Sequence, residues 1–191
     1  MSQFEFVFSL FGLLLGLSLA EVLSGFGKAV KARARVRIGW LTPLLGVLVM
    51  LDLTSFWTTA WSVRDALPVK YFTLMVLLGF TGAYYIAANL VFPEEPDRCP
   101  DFDAHYWANK KLVLGAMFAL NIPSYVADWT WGGGQYSLDN PLSVAIATVF
   151  MLLVVVAAVV KGHRLNLILL SLIIALYPLN GLRELLRAAA A

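Results

Sequence analysis

Asp52 stands near the middle of an apolar stretch, with Ser55 and Thr59 following at i+3 and i+7. On a helix the three share one polar stripe. A charged side chain at the centre of a membrane helix costs about 2.5–3.5 kcal/mol on insertion scales, and ordinarily faces the bundle interior with a partner or a water cavity. Three further polar groups lie in the apolar segments, Glu21 nearer the cytoplasmic end, where it can snorkel or pair with Lys28. Glu21 has Ser18, Ser24 and Gly25 on its face; Asn121, Ser124 and Asp128 recur at i, i+3 and i+7 beside Pro123; Tyr177, Asn180 and Arg183 line up beside Pro178. With Asn89 they make a candidate intramembrane polar path of Glu21, Asp52, Asn89, Asn121, Asp128, Asn180 and Arg183. The chemistry such a set supports is passage of a proton, a cation or a small polar solute, with Asp52 as the central protonatable site. Two proline-interrupted helices would suit a midplane site built from broken helices. The competing reading is structural: Asp52 or Asp128 pairs with Arg183, and the amides bridge helices at roughly 1 kcal/mol or less per bond.

The elements that must position these groups are apolar segments of about 20 residues, the length needed to cross a hydrocarbon core of roughly 30 Å. Six are present, at about 4–26, 40–62, 70–92, 108–130, 142–161 and 165–186. The composition agrees, with 60% hydrophobic and 14% charged residues against about 25% charged in soluble domains, and a mean hydropathy of +0.78. Runs this long without dyad alternation indicate helices and not barrel strands. The expected fold is all-α, a single membrane domain over residues 1–191 with six transmembrane helices and the bilayer as its partner. Three helices followed by three, the fourth starting on the side opposite the first, is also the arithmetic of a 3+3 inverted repeat.

Ser18, Leu19 and Ala20 before Glu21 have the look of a signal-peptidase site, but Met1–Phe6 carries Glu5 and no Lys or Arg. The first segment is therefore read as a retained helix. Of the 14 Lys and Arg, ten fall in the connections 27–39, 93–111 and 161–164, five of them being Lys28, Lys31, Arg33, Arg35 and Arg37. The positive-inside rule puts that side in the cytoplasm and both termini outside, in a bacterial inner membrane. Trp40, Trp57, Trp61, Trp107, Trp129 and Trp131 lie near helix ends as interfacial anchors do. Gly12 with Gly16 and Ala83 with Ala87 are small-xxx-small pairs, suited to internal packing or to self-association.

The net charge of +2 gives no nucleic-acid footprint. Cys99 is the one cysteine, which excludes an intrachain disulfide. In the loop 93–107, Cys99, Asp101, Asp103 and His105 alternate in a pattern that an extended backbone could turn toward a divalent ion. Its three prolines fit a stiff connector better, with Asp103 capping a helix from Ala104; no metal is expected. Trp131 to Gln135, although glycine-rich, lacks the strand-to-helix context of a phosphate cradle. No Ser/His/Asp order, HExxH or facing intramembrane imidazole pair is present, so no cofactor is expected, and an enzyme is the lesser reading, in the form of a membrane-embedded acid/base pair of Asp52 and Glu21. Against the transport reading stands an accessory or scaffold subunit, a homo-oligomer or part of a larger membrane complex, for which the apolar fifth helix would serve.

Phe56-Trp57 with Trp61 ending the second helix, Phe92-Pro93 closing the third, and Asp103 with His105 and Tyr106 before the fourth give a pattern that resembles uncharacterised bacterial six-helix integral membrane proteins. The resemblance implies the six-helix fold. It brings no activity and no catalytic residue.

Overall fold

The computed structural model describes residues 3–62, 70–131 and 140–190. The side chains of a few positions within those spans, Asp128, Trp131 and Arg183 among them, lie outside the described residues, as does the glycine-rich loop 132–139. Six α-helices follow one another: Gln3–Ala32 (α1), Leu41–Ser62 (α2), Tyr71–Asn89 (α3), Phe102–Trp131 (α4), Pro141–Val159 (α5) and His163–Ala190 (α6), with a short 3-10 turn at Pro96–Arg98. No β-strand occurs among the described residues.

The helices start and stop where local chemistry dictates. α1 runs six residues past its expected end at 26, because Ala29 and Ala32 are buried against the core while the intervening Lys28 and Lys31 are good helix formers that reach outward. α4 begins six residues before its expected start. Its cap is Asp101, whose Oδ1 accepts the Asp103 backbone N–H at 2.9 Å, satisfying one of the helix's unpaired donors. The expectation that Asp103 caps its own helix is thus corrected by two residues. Asp103 instead accepts the Leu41 N–H at 3.1 Å and caps α2, while the Thr42 hydroxyl donates to the Phe102 carbonyl at 2.6 Å. Gly39 makes this junction possible. It has a φ of +64°, and a Cβ there would fall 2.2 Å from Asp103 Oδ1.

Among the described residues, five of the helices, α1, α2, α3, α5 and α6, are long and apolar enough to cross a membrane. α4 is 30 residues long, but Asn109, Lys110, Lys111 and Asn121 dilute its apolar character. Its neighbours explain how it carries two of them, since α4 packs against α2, α3 and α5 and buries Lys110 and Asn121 there, while Asn109 is half-buried and Lys111 exposed. The helix contacts describe two four-membered rings, α1–α2–α4–α3 and α2–α4–α5–α6, that share the α2–α4 pair as a common wall. Small residues allow the closest approaches. A Cβ on Gly25 would lie 2.3 Å from the Phe92 ring, so α1 and the end of α3 meet at a contact that only glycine permits. Gly12 in turn faces Trp57, and Gly16 has open space around it.

Candidate functional site

Asp52 occupies the junction of the two rings. It is fully buried, eleven residues into α2 and so about 16 Å along the helix axis. Three other helices send neutral donors to its carboxylate. From α3, the Tyr84 hydroxyl donates to Oδ2; from α6, the Tyr177 hydroxyl donates to Oδ1 at 2.7 Å; from α4, Asn121 Nδ2 donates to both oxygens at 3.2 Å. Asn121 is itself fixed by a bond from Nδ2 to the Met117 carbonyl at 2.9 Å. Ser55, the next residue of the polar stripe, donates to the Asp52 backbone carbonyl at 2.7 Å. Among the described residues, no Lys, Arg or His reaches the carboxylate. Its charge is spread over hydrogen bonds, the arrangement that makes a buried acceptor tolerable in a dry interior.

A cavity of about 510 Å³ adjoins the carboxylate, walled by α2, α4, α5 and α6. Besides Asp52 and Tyr177 its polar lining includes Thr54, Ser55, Thr58, Thr59, Asn121, Ser124, Tyr125 and Asn180, and its apolar lining includes Phe56, Ile146, Phe150 and Ile174. On α2, α4 and α6 these positions run from the level of Asp52 toward the C-terminal ends, and on α5 they fall in the first half. The cavity therefore lies in the half of the bundle that carries the α2–α3 and α4–α5 connections. Pro178 is inside α6 and lines the cavity with Ile174. Lacking an N–H, it leaves the Ile174 carbonyl without its helical partner.

Toward the opposite end the interior is closed. Leu45, Leu48, Met117, Val154, Leu170 and Ile173 are fully buried, filling the bundle between Asp52 and a second polar knot at Lys110. From Lys110 to Asn121 is eleven residues of α4, roughly three turns. Lys110 is itself only 2% exposed. Its ammonium donates to the Ala157 carbonyl at 2.9 Å, to Asn166 Oδ1 at 3.0 Å and to the Val160 carbonyl, and sits 4.4 Å from the Trp107 ring centroid. These carbonyls are the unpaired acceptors at the C-terminus of α5, where a cation is favourable. Tyr106 donates to the same Asn166 oxygen at 2.7 Å.

The candidate path is thus brought together in part. Asp52, Asn121 and Asn180 meet at the cavity. Glu21 does not: it is half-buried on α1, a helix that contributes nothing to the cavity wall, and neither Lys28 nor another described residue pairs with it. Asn89 is exposed at the end of α3, its amide donating to the Tyr85 carbonyl at 3.0 Å; the buried face of that turn is taken by Ala87 and Ala88. The side chains of Asp128 and Arg183 lie outside the described residues. Arg183 follows Tyr177 by six residues, about 9 Å along α6. Sequence reasoning missed Tyr84, Tyr125 and the Lys110 knot. Tyr125 follows Ser124 directly and Tyr84 sits i+3 from Thr81, which are weak signals, while nothing local distinguished Lys110 from a topology charge.

The four alternating residues of the acidic loop go to four separate tasks. Cys99 Sγ faces the Asp101 carbonyl at 3.4 Å, Asp101 caps α4, Asp103 caps α2, and His105 Nε2 lies 3.1 Å from the Leu90 carbonyl at the end of α3. Among the described residues, no three His, Cys, Asp or Glu side chains converge as metal ligands. The loop docks on the basic turn through the backbone bond from Phe102 N–H to the Arg37 carbonyl at 3.0 Å and an exposed Arg35–Asp97 ion pair at 3.0 Å. Together these features define a class, a helical membrane bundle with a buried carboxylate beside a polar-lined cavity. No protein-family model matches the sequence, and no curated protein or solved structure matches it either.

Proposed function

We propose that the protein is a six-crossing bacterial inner-membrane protein with both termini outside, and that it takes a proton, a cation or a small polar solute into the α2–α4–α5–α6 cavity from the outer side. α4 is the sixth crossing, its Lys110 and Asn121 buried against its neighbours. The observation that carries the reading is a fully buried carboxylate at the inner end of a cavity, held among the described residues by neutral donors alone. An ionised carboxylate so placed leaves one negative charge uncompensated, and a proton or an entering cation is what balances it.

The test is cation or proton flux into proteoliposomes by the wild-type chain and by Asp52→Asn. Asn keeps one acceptor oxygen, and the phenol facing its NH2 can turn to accept, so the variant should fold with a loss of about 1 kcal/mol while flux disappears. A variant that is markedly unstable, and recovers when Arg183→Gln is added, would sink this reading. A second reading, the scaffold subunit, has its own observation: Asp52 fastens α2 to α3, α4 and α6 at one point. On that reading the wild-type protein carries no flux, and the carboxylate serves assembly alone.

A further inference from the structure

The cavity offers more carbon than oxygen. Phe150 and Tyr177 meet edge to face with ring centroids 5.7 Å apart, and Phe56, Ile146, Ala147 and Ile174 are also in its wall. Asp52 is the charged residue of the described lining, which includes no Lys, Arg or His. A bare divalent cation wants six or more oxygen ligands at about 2.0–2.6 Å, and an apolar wall gives it nothing in return for its lost hydration. A solute that joins a positive charge to a hydrocarbon body uses both halves of this lining. The volume, about 510 Å³, is within the range of pockets for small organic ligands.

Resting on the transport reading above, we propose that the solute is a small organic ammonium ion. Its alkyl or aryl body lies against Ile146 and Phe150, and its cationic head lies at the aromatic rings on the Asp52 side, where ring quadrupole and carboxylate attract it together. The two oxygens of Asp52 already accept from Tyr84, Tyr177 and Asn121, so the head is held through space and by the rings instead of by stripping those bonds.

The experiment is charge-selective labelling of single cysteines in the full chain, with Cys99→Ser as background. Ile146→Cys and Ser124→Cys report the cavity, and Lys70→Cys reports the exposed surface. Each is treated with a trimethylammonium-ethyl methanethiosulfonate and with the sulfonatoethyl reagent of similar size. Relative to Lys70→Cys, the cationic reagent should be favoured at least ten-fold in the cavity, and adding Asp52→Asn should bring the ratio close to the surface value. Millimolar choline should slow the reaction several-fold, while its uncharged carbon analogue 3,3-dimethylbutan-1-ol should not. Equal rates for both reagents, or protection by the neutral alcohol as good as by choline, would overturn the ammonium assignment and leave an accessible cavity. Protection by sodium or potassium but not by choline would replace it with an inorganic cation. Failure of either reagent to reach Ile146→Cys and Ser124→Cys, while Lys70→Cys reacts, would overturn the transport reading along with it.

Discussion

At the scale of residues, the carboxylate of Asp52 sorts its partners by their surroundings. The Tyr84 phenol is fully buried, so removing it in Tyr84→Phe leaves Oδ2 short of a donor that water cannot replace. A loss of about 1–3 kcal/mol is expected in thermal or denaturant unfolding of the detergent-solubilised protein. Tyr177 lines the cavity, where a water molecule can take over the bond to Oδ1; Tyr177→Phe should cost under half as much. Equal losses would mean that the cavity is dry at this point. Asp52 was legible in the sequence because a lone acid in an otherwise uncharged, mainly apolar stretch has few reasons to be there, and Asn121 and Tyr177 were legible as polar positions on interrupted helices. Tyr84 was not. In the run Gly82-Ala83-Tyr84-Tyr85-Ile86 two adjacent tyrosines look alike, yet the first is fully buried and the second is 38% exposed, a difference set by the neighbouring helices and not by any local pattern.

At the scale of elements, the helix ends carry the most specific chemistry. Gly39→Ala would place a residue with a side chain at φ +64° and drive its Cβ into Asp103. Strain of about 1–2 kcal/mol comes from the backbone alone, and the lost α2 cap adds about 1 kcal/mol. Removing the clash with Asp103→Ala should therefore not rescue the variant, since the left-handed backbone remains and the cap is gone; full recovery of the melting temperature would show that the contact, not the backbone, governs. Lys110→Met should unsettle the end of α5, seen as faster amide exchange near Ala157–Val160 and a stability loss of about 1–3 kcal/mol. An unchanged exchange rate would mean that Asn166, which donates to the Val160 and Gly162 carbonyls at 2.8 and 2.9 Å, suffices as the cap. The six helices were legible from apolar length alone. Their ends were displaced by up to six residues, because caps set them: Asp101 starts α4 locally, and Asp103 serves α2 across the fold, and hydropathy windows register neither.

At the scale of the whole molecule, the basic connections face one end of the bundle and the cavity lies toward the other. With Cys99 replaced, a cysteine at Lys70 should react with an impermeant thiol reagent on intact cells and one at Ala34 should not; the opposite result would reverse every inside and outside assignment. The ring arrangement was not legible, because neighbour order depends on contacts such as Gly25 with Phe92 that periodicity does not encode. The apolar packing between Asp52 and Lys110 was equally silent in the sequence, since buried leucines there resemble leucines that meet lipid. It has a kinetic consequence. On the transport reading, a solute at Asp52 is separated from the far end by about 16 Å of close-packed hydrocarbon. Any crossing then waits for this packing to open, a collective motion on the microsecond-to-millisecond scale. Unitary currents should accordingly be absent, and flux, if measured, should saturate with solute and count events per second in hundreds or thousands, the behaviour of a turnstile and not of a tap.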